Sequence, residues 1–353
     1  MALSKVNPNF VGQNLGRRNL LMNGDFKVAQ RGTTFAAAAS GTMVSDRWSP
    51  LASSNPSQNI GYTRSTDAPK GFKYSTKLSV STAISSLASS DYYIFRHRGF
   101  EQQDIEHLNF GTADAKEITL SFWVKSNKTG TMFAEWQMPT SSASVELAKP
   151  YTIDVANTWE YKTITYPANT VHTSNAADNA GGLFLYMWIA AGATYAGGTL
   201  NTSWNNNSNR VTGITNYLDS TSNEIYFTGF QLEVGDTATP FEHRSYGEEL
   251  AACQRYYQLN ISNAAFTNTT TVARIGLSGV VQMRAQPSIS IVDATGRVED
   301  FGIANRNLVS LGSLSAGGAS GTMGGAVDAT ITASSVSRPH ILFAGSIGLE
   351  AEL

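Results

Sequence analysis

Along this chain hydrophobic residues alternate with polar ones far more often than they recur at helical spacing. Ile118, Leu120, Phe122 and Val124 are interleaved with Thr119, Ser121, Trp123 and Lys125, the period of two expected of a strand with one buried face. Residues 127–130 (NKTG) read as a turn, and 131–138 as the returning strand. Residues 159–166 alternate again, and 225–234 supply a further strand. The near-continuous apolar run at 183–190 predicts a strand covered on both faces. Many short strands with almost no helical periodicity predict a two-sheet sandwich of the jelly-roll type.

One helix interrupts this pattern. Tyr246, Leu250, Cys253 and Tyr257 fall at helical spacing, and Glu248 and Glu249 occupy the first turn, where the dipole favours them. Strand patterns resume at 272–281, 288–292 and 340–345, and the glycine-rich stretch 312–325 reads as a loop. The boundaries that follow are an arm over 1–18, a jelly roll over 19–245, a connecting helix over 246–259 and a C-terminal β-domain over 260–353. The predicted fold class is all-β: a jelly-roll β-sandwich, a short helix, and a smaller C-terminal β-sandwich-like domain.

Composition narrows the function classes. At 353 residues the chain suits two cores better than one. Charged residues make up 15% and the net charge is −2, so no field attracts nucleic acid or an anionic membrane. No stretch approaches the ~20 apolar residues of a membrane span. The single cysteine, Cys253, rules out an intramolecular disulfide. It falls on the apolar stripe of the helix, as a small hydrophobe and not a nucleophile. The opening residues lack the apolar core of a signal peptide, so the chain is expected to be made in a host cytoplasm and carried outward in a particle.

The candidate chemistry is aromatic. Flat rings stack on the C–H faces of sugars, and they also fill sandwich cores. Trp123 occupies the polar phase of its strand and so faces away from the core side. Trp204 lies in NTSWNNNSN, among the hydrogen-bonding side chains Asn205 and Asn206. Tyr92 begins another apolar run. These five residues are the candidate glycan contacts, with core packing or loop anchoring as the competing role. Carboxylates in RHRGFEQQDIEH (Glu101, Asp104 and Glu106, near His97 and His107) read as a solvated rim, and no motif supports a catalytic acid pair. The histidines show no metal-ligand spacing, and neither a phosphate loop nor a serine elbow is present. No catalytic residue, metal or cofactor is expected.

Four ordered segments carry a resemblance: 19–32 (NLLMNGDFKVAQRG), 45–48 (SDRW), 119–131 (TLSFWVKSNKTGT) and 229–257 (GFQLEVGDTATPFEHRSYGEELAACQRYY). Together with the ending IGLEAEL, they resemble a family of bacteriophage virion-surface proteins built on a carbohydrate-binding-module-like jelly roll. The resemblance implies a tail- or capsid-fibre role on the virion and attachment to a host surface glycan. It also implies contact with other virion proteins and assembly as a homo-oligomer, a trimer by analogy. Related jelly rolls often hold calcium near the position of Asp25. Lys27 and Gln231 replace the acidic ligands expected beside it, so Asn23-Gly24-Asp25 reads as a turn instead. The alternatives are a capsid decoration or cement protein without a ligand, a glycan depolymerase of the tailspike kind, and a bacterial carbohydrate-binding module.

Overall fold

The structure, a computed structural model, describes residues 17–53, 59–260, 264–269, 272–277, 281–285, 288–291, 297–300, 304–315, 325–331, 339–342 and 347–353. The expected arm therefore lies outside the described residues except for Arg17 and Arg18, as does most of the glycine-rich stretch. Backbone contacts divide the chain into two units, Met1–Ser245 and Tyr246–Leu353.

The first unit is a sandwich of two antiparallel sheets. Its strands are β1 (Thr34–Phe35), β2 (Trp48–Ala52), β3 (Ile60–Ser65), β4 (Ser75–Val80), β5 (Tyr92–Glu101), β6 (Ile118–Ser126), β7 (Gly130–Met138), β8 (Val145–Ile153), β9 (Glu160–Tyr166), β10 (Gly181–Ala191) and β11 (Glu224–Val234). One sheet has the order β1-β3-β4-β11-β6-β9, and the other β2-β5-β10-β7-β8. Apart from the hairpins β3–β4 and β7–β8, sequence neighbours are split between the sheets, which is the jelly-roll crossover pattern. The alternation in β6 resolves as expected: Ile118, Leu120, Phe122 and Val124 are fully buried between the sheets. They meet Phe95, Phe227 and Phe230, with the Phe122 and Phe230 rings stacked at 5.3 Å.

The apolar run of β10 is buried on both faces for a specific reason. Leu183, Leu185, Met187 and Ile189 point into the sandwich, while Tyr186 and Trp188 point outward. The long excursion between β10 and β11 lies over that outer face, with Val211, Tyr195, Leu200 and Ile214 packed on it. A second apolar layer, made by one loop, thus covers the five-stranded sheet.

The two ends of this unit are clasped together. Asn19 donates to the Phe230 carbonyl (3.1 Å) and accepts from the Leu232 amide (3.1 Å), both on β11. The Glu242 carboxylate accepts the Arg18 and Asn19 amides at 3.0 Å each, and Arg244 donates to the Leu21 and Asn19 carbonyls. Lys27 Nζ, 2.9 Å from Asp25, also donates to the Arg244 carbonyl at 2.8 Å. An ammonium therefore sits against Asp25, and among the described residues no cluster of three acidic, histidine or cysteine side chains could hold a metal.

In the second unit a helix, Tyr246–Gln254, leads through a turn at Arg255 and Tyr256 into strand β12 (Tyr257–Asn260). The expected apolar stripe is therefore cut short. Tyr257 is buried but belongs to the strand, Tyr246 is exposed, and of the stripe residues within the helix Cys253 is the one deeply buried. Beyond it come β13 (Ala264–Thr269), β14 (Val272–Leu277), β15 (Ser288–Ile291), β16 (Arg297–Asp300), β17 (Ala304–Ser315), β18 (Gly325–Ile331), β19 (Pro339–Leu342) and β20 (Ile347–Glu350). Strands β13-β14-β18-β17-β16-β19 form a closed barrel, and β12-β20-β15 form a three-stranded sheet. Where the sequence predicts a sandwich-like domain, β19 pairs with both β13 and β16 and closes the ring. Closure leaves none of these six strands with a free edge.

Candidate functional site

The outer face of the six-stranded sheet carries an aromatic groove. Successive side chains of a strand point to opposite faces, so burying Phe122 and Val124 sends Ser121, Trp123 and Lys125 outward. Strand register then places Trp123 opposite Tyr161 on β9 and Thr228 on β11. The Trp123 and Tyr161 rings lie 5.3 Å apart at 47°, and Tyr161 is 43% exposed.

Next to them the ladder of β11 slips between Thr228 and Gln231. Gly229 takes up the irregularity at φ +65°, a left-handed conformation that favours glycine. A Cβ there would lie 2.7 Å from Phe72 Cζ and 3.1 Å from Trp123 Cδ1. The missing side chain is what allows the rings of Phe72 and Trp123 to flank this point. Phe72 meets Phe241 edge-on at 5.0 Å and His243 at 5.4 Å.

The segment carrying Phe241 and His243 is held in place by polar contacts. Glu233 accepts the Thr239 amide (2.8 Å) and hydroxyl (2.5 Å). Gln231 donates to the Thr239 carbonyl (3.0 Å) and accepts the Glu242 amide (2.8 Å). The resulting groove has a volume of about 590 Å³, within the roughly 300–1,000 Å³ common for ligand clefts. Its lining is aromatic and small-polar, and no carboxylate is among the described residues that line it.

The same face continues into a second aromatic pair. Trp159 and Tyr226 meet at 6.3 Å, and Lys125 Nζ lies over both rings, 5.6 and 4.7 Å from their centroids. Lys125 is ion-paired with Asp67, which also accepts the Trp159 indole N–H at 3.1 Å. The Lys125 hydrogen bond is the main reason the Asp67 carboxyl is held below its usual range.

A smaller cleft of about 160 Å³ lies on the other sheet, between β5, β10 and the covering excursion. Tyr92, Trp188 and Tyr195 enclose it, Tyr195 lying 5.5 Å from Tyr92 and 5.6 Å from Trp188. Beside it Arg210 reaches from the excursion to two buried carboxylates, Glu135 (3.4 Å) on β7 and Glu146 on β8. Burial pushes the Glu135 carboxyl up to about 8 and the Glu146 carboxyl up to about 7, against the pull of Arg210. Neither carboxylate lines the cleft. The cluster fastens the loop to the sheet.

The candidate residues read from the sequence therefore separate. Trp123 lies in the larger groove and Tyr92 in the smaller cleft, on opposite sheets. Trp204 is corrected from a sugar platform to a core residue: it is 6% exposed, packs on Phe110 at 5.6 Å, and donates its indole N–H to the Pro167 carbonyl at 2.8 Å. A satisfied N–H is what lets a tryptophan in a polar loop be buried. The surrounding asparagines shape that loop. Asn205 exchanges side-chain hydrogen bonds with Asn201 and backbone ones with Glu146, and Asn206 donates to the Ser144 carbonyl. The charged stretch read as a rim also turns partly inward, with His97 and Glu101 fully buried. Burial, with Arg47 beside it, pushes the His97 imidazole well below its ordinary value.

Tyr161, Phe72, Phe241, Gly229 and Lys70 are among the groove residues missed from the sequence. Tyr161 carried a signal, since it shares the outward phase of its strand with Thr163. Phe72 and Phe241 sit in loops, where alternation gives no orientation.

No protein-family model matches the chain, and no curated protein sequence matches it. Similar solved structures include the enzymatically active domain of bacteriophage CBA120 tailspike protein 4 (15% identity, 62% of this chain and 21% of that chain, TM-score 0.30). A putative sugar binding protein from Bacteroides thetaiotaomicron VPI-5482 is similar at 11% identity, over 61% of this chain and 99% of that one, with a TM-score of 0.33. A family 30 carbohydrate binding module is similar at 11% identity, over 66% and 97%, with a TM-score of 0.32. The chain thus spans about a fifth of the tailspike structure, and likenesses this distant leave function to the residues themselves.

Proposed function

We propose that this chain is a non-enzymatic glycan-binding protein and that the groove over β6, β9 and β11 is its binding site. The observation that carries this reading is the Trp123–Tyr161 pair, two outward-facing rings on a rigid sheet beside a cleft of ligand size. Rings held by directly paired strand positions lose little freedom when a sugar stacks on them. Small polar groups around them, Ser121 and Thr239, supply hydrogen-bond partners for hydroxyls.

A hydrolytic role would need two acids flanking the bond to be cut. None lines the groove among the described residues, and Glu135 and Glu146 are buried under Arg210. The setting we propose is a bacteriophage virion surface, where several copies in a homo-oligomer would give weak sugar contacts avidity. Support for the setting comes from the four ordered sequence segments. Titration calorimetry against the oligosaccharides that bind best on a printed glycan array tests the site. Trp123→Ala and Tyr161→Ala are expected to lose affinity while melting like the parent, and unchanged affinity in both would remove the groove as the binding site.

A further inference from the structure

We propose that the groove selects glycans bearing a carboxylate, such as uronic or sialic acids, and that Lys70 reads that charge. This rests on the groove being the glycan site, and concerns which sugars it takes. Lys70 lines the groove and is exposed, presented at its rim by a turn in which the Phe72 amide donates to the Pro69 carbonyl (3.0 Å). Gly71 makes that turn at φ +97°.

The balance of charge around the groove is one-sided. Its described lining contains one lysine, one histidine and no acid. Six carboxylates stand on the segments that build it, and none lines it. Glu160 is paired with Lys162 and Glu224 with Lys77, while Asp236, exposed beyond the end of β11, accepts the Thr237 hydroxyl. Asp67 is bound to Lys125 and Trp159, Glu233 to Gln231 and Thr239, and Glu242 to the Arg18 and Asn19 amides and to Arg244. The nearby cations Lys125, Lys77 and Arg244 are matched by Asp67, Glu224 and Glu242, and Lys73 lies over the Tyr74 ring outside the lining. Lys70 has no ion-pair partner among the described residues, so its charge is uncompensated at the mouth of an aromatic, weakly hydrated cleft. A carboxylate there meets one unshared ammonium and no opposing acid. A neutral sugar could stack on the same rings but would leave that charge unanswered.

The test is an array in which each uronic or sialic oligosaccharide is printed beside its own methyl ester, probed with the parent protein, Lys70→Ala, Lys70→Glu and Trp123→Ala. The parent is expected to favour the acid over its ester by about tenfold at low salt, with the preference shrinking as salt rises. Lys70→Ala should bring the two to equal affinity, Lys70→Glu should favour the ester, and Trp123→Ala should lose both. Equal parental signals for acid and ester, with both lost in Trp123→Ala, would overturn the charge preference and leave the binding site standing. An acid preference that survives Lys70→Ala would overturn the role of Lys70. A blank array for the parent would overturn both readings.

Discussion

Trp188 donates its indole N–H to Glu135 at 3.0 Å, a neutral donor offered to a carboxyl that the fold has taken wholly out of water. Arg210 is the cation nearest this pair, and it comes from a loop. The covering layer on the five-stranded sheet is therefore tied to the protonation of a buried acid.

The consequence for pH is a stability that falls as pH rises. Glu135 has a folded-state value near 8 against an ordinary value of 4.5, so the folded protein binds the proton more tightly than the unfolded chain does. The favourable contribution is full below about 4.5 and is lost as pH climbs through about 8. Melting temperature measured between pH 5 and 8.5 is expected to drop by several degrees in the parent, and less in Glu135→Gln. A parallel decline in both proteins would show that Glu135 is not the group responsible.

At pH 9, above the values of both Glu135 and Glu146, removing Arg210 leaves two buried carboxylates facing each other without their cation. Arg210→Met is expected to cost about 3–5 kcal/mol, read as a shift in the denaturant midpoint. Adding Glu135→Gln and Glu146→Gln should restore much of the loss, because no uncompensated charge then remains. If the triple variant is as weak as the single one, packing and not charge holds the loop.

The two tryptophans singled out in the sequence should behave in opposite ways. Trp204→Ala empties a site in the core and should destabilise by about 3–5 kcal/mol while leaving glycan affinity per folded molecule intact. Trp123→Ala should cost about 2 kcal/mol of binding or more with little change in melting. Calorimetry beside thermal melts separates the two effects directly.

Gly229→Ala tests the floor of the groove. Its positive φ alone costs a side chain on the order of 1 kcal/mol, and the added methyl meets Phe72. Phe72 is expected to be displaced, so affinity should fall together with stability. Affinity retained in a destabilised variant would mean that the Phe72 position is unimportant for binding.

Much of the sandwich was legible because its strands obey a period of two. In β6 every residue from Ile118 to Val124 faces as the alternation says, and the unbroken apolar run of β10 reported its double cover. Trp123 was placed outward by the same rule. The groove was not legible as a unit, because Phe72 and Phe241 reach it from loops and Gly229 from an irregularity in β11, where periodicity carries no direction. Trp204 misled because polar neighbours suggest exposure. Those asparagines spend their hydrogen bonds on shaping the loop and on one another. The barrel was out of reach too, since closure depends on which distant strands pair, as β13 and β19 do.

The clasp at Arg18, Asn19, Glu242 and Arg244 sets how a pulling force would travel. The chain enters and leaves the sandwich at adjacent points, so tension applied between residues 17 and 245 is carried across that handful of polar contacts and the Leu20 amide's bond to the Leu232 carbonyl. Parting those contacts frees both ends of the unit before any strand pairing of the two sheets has to break.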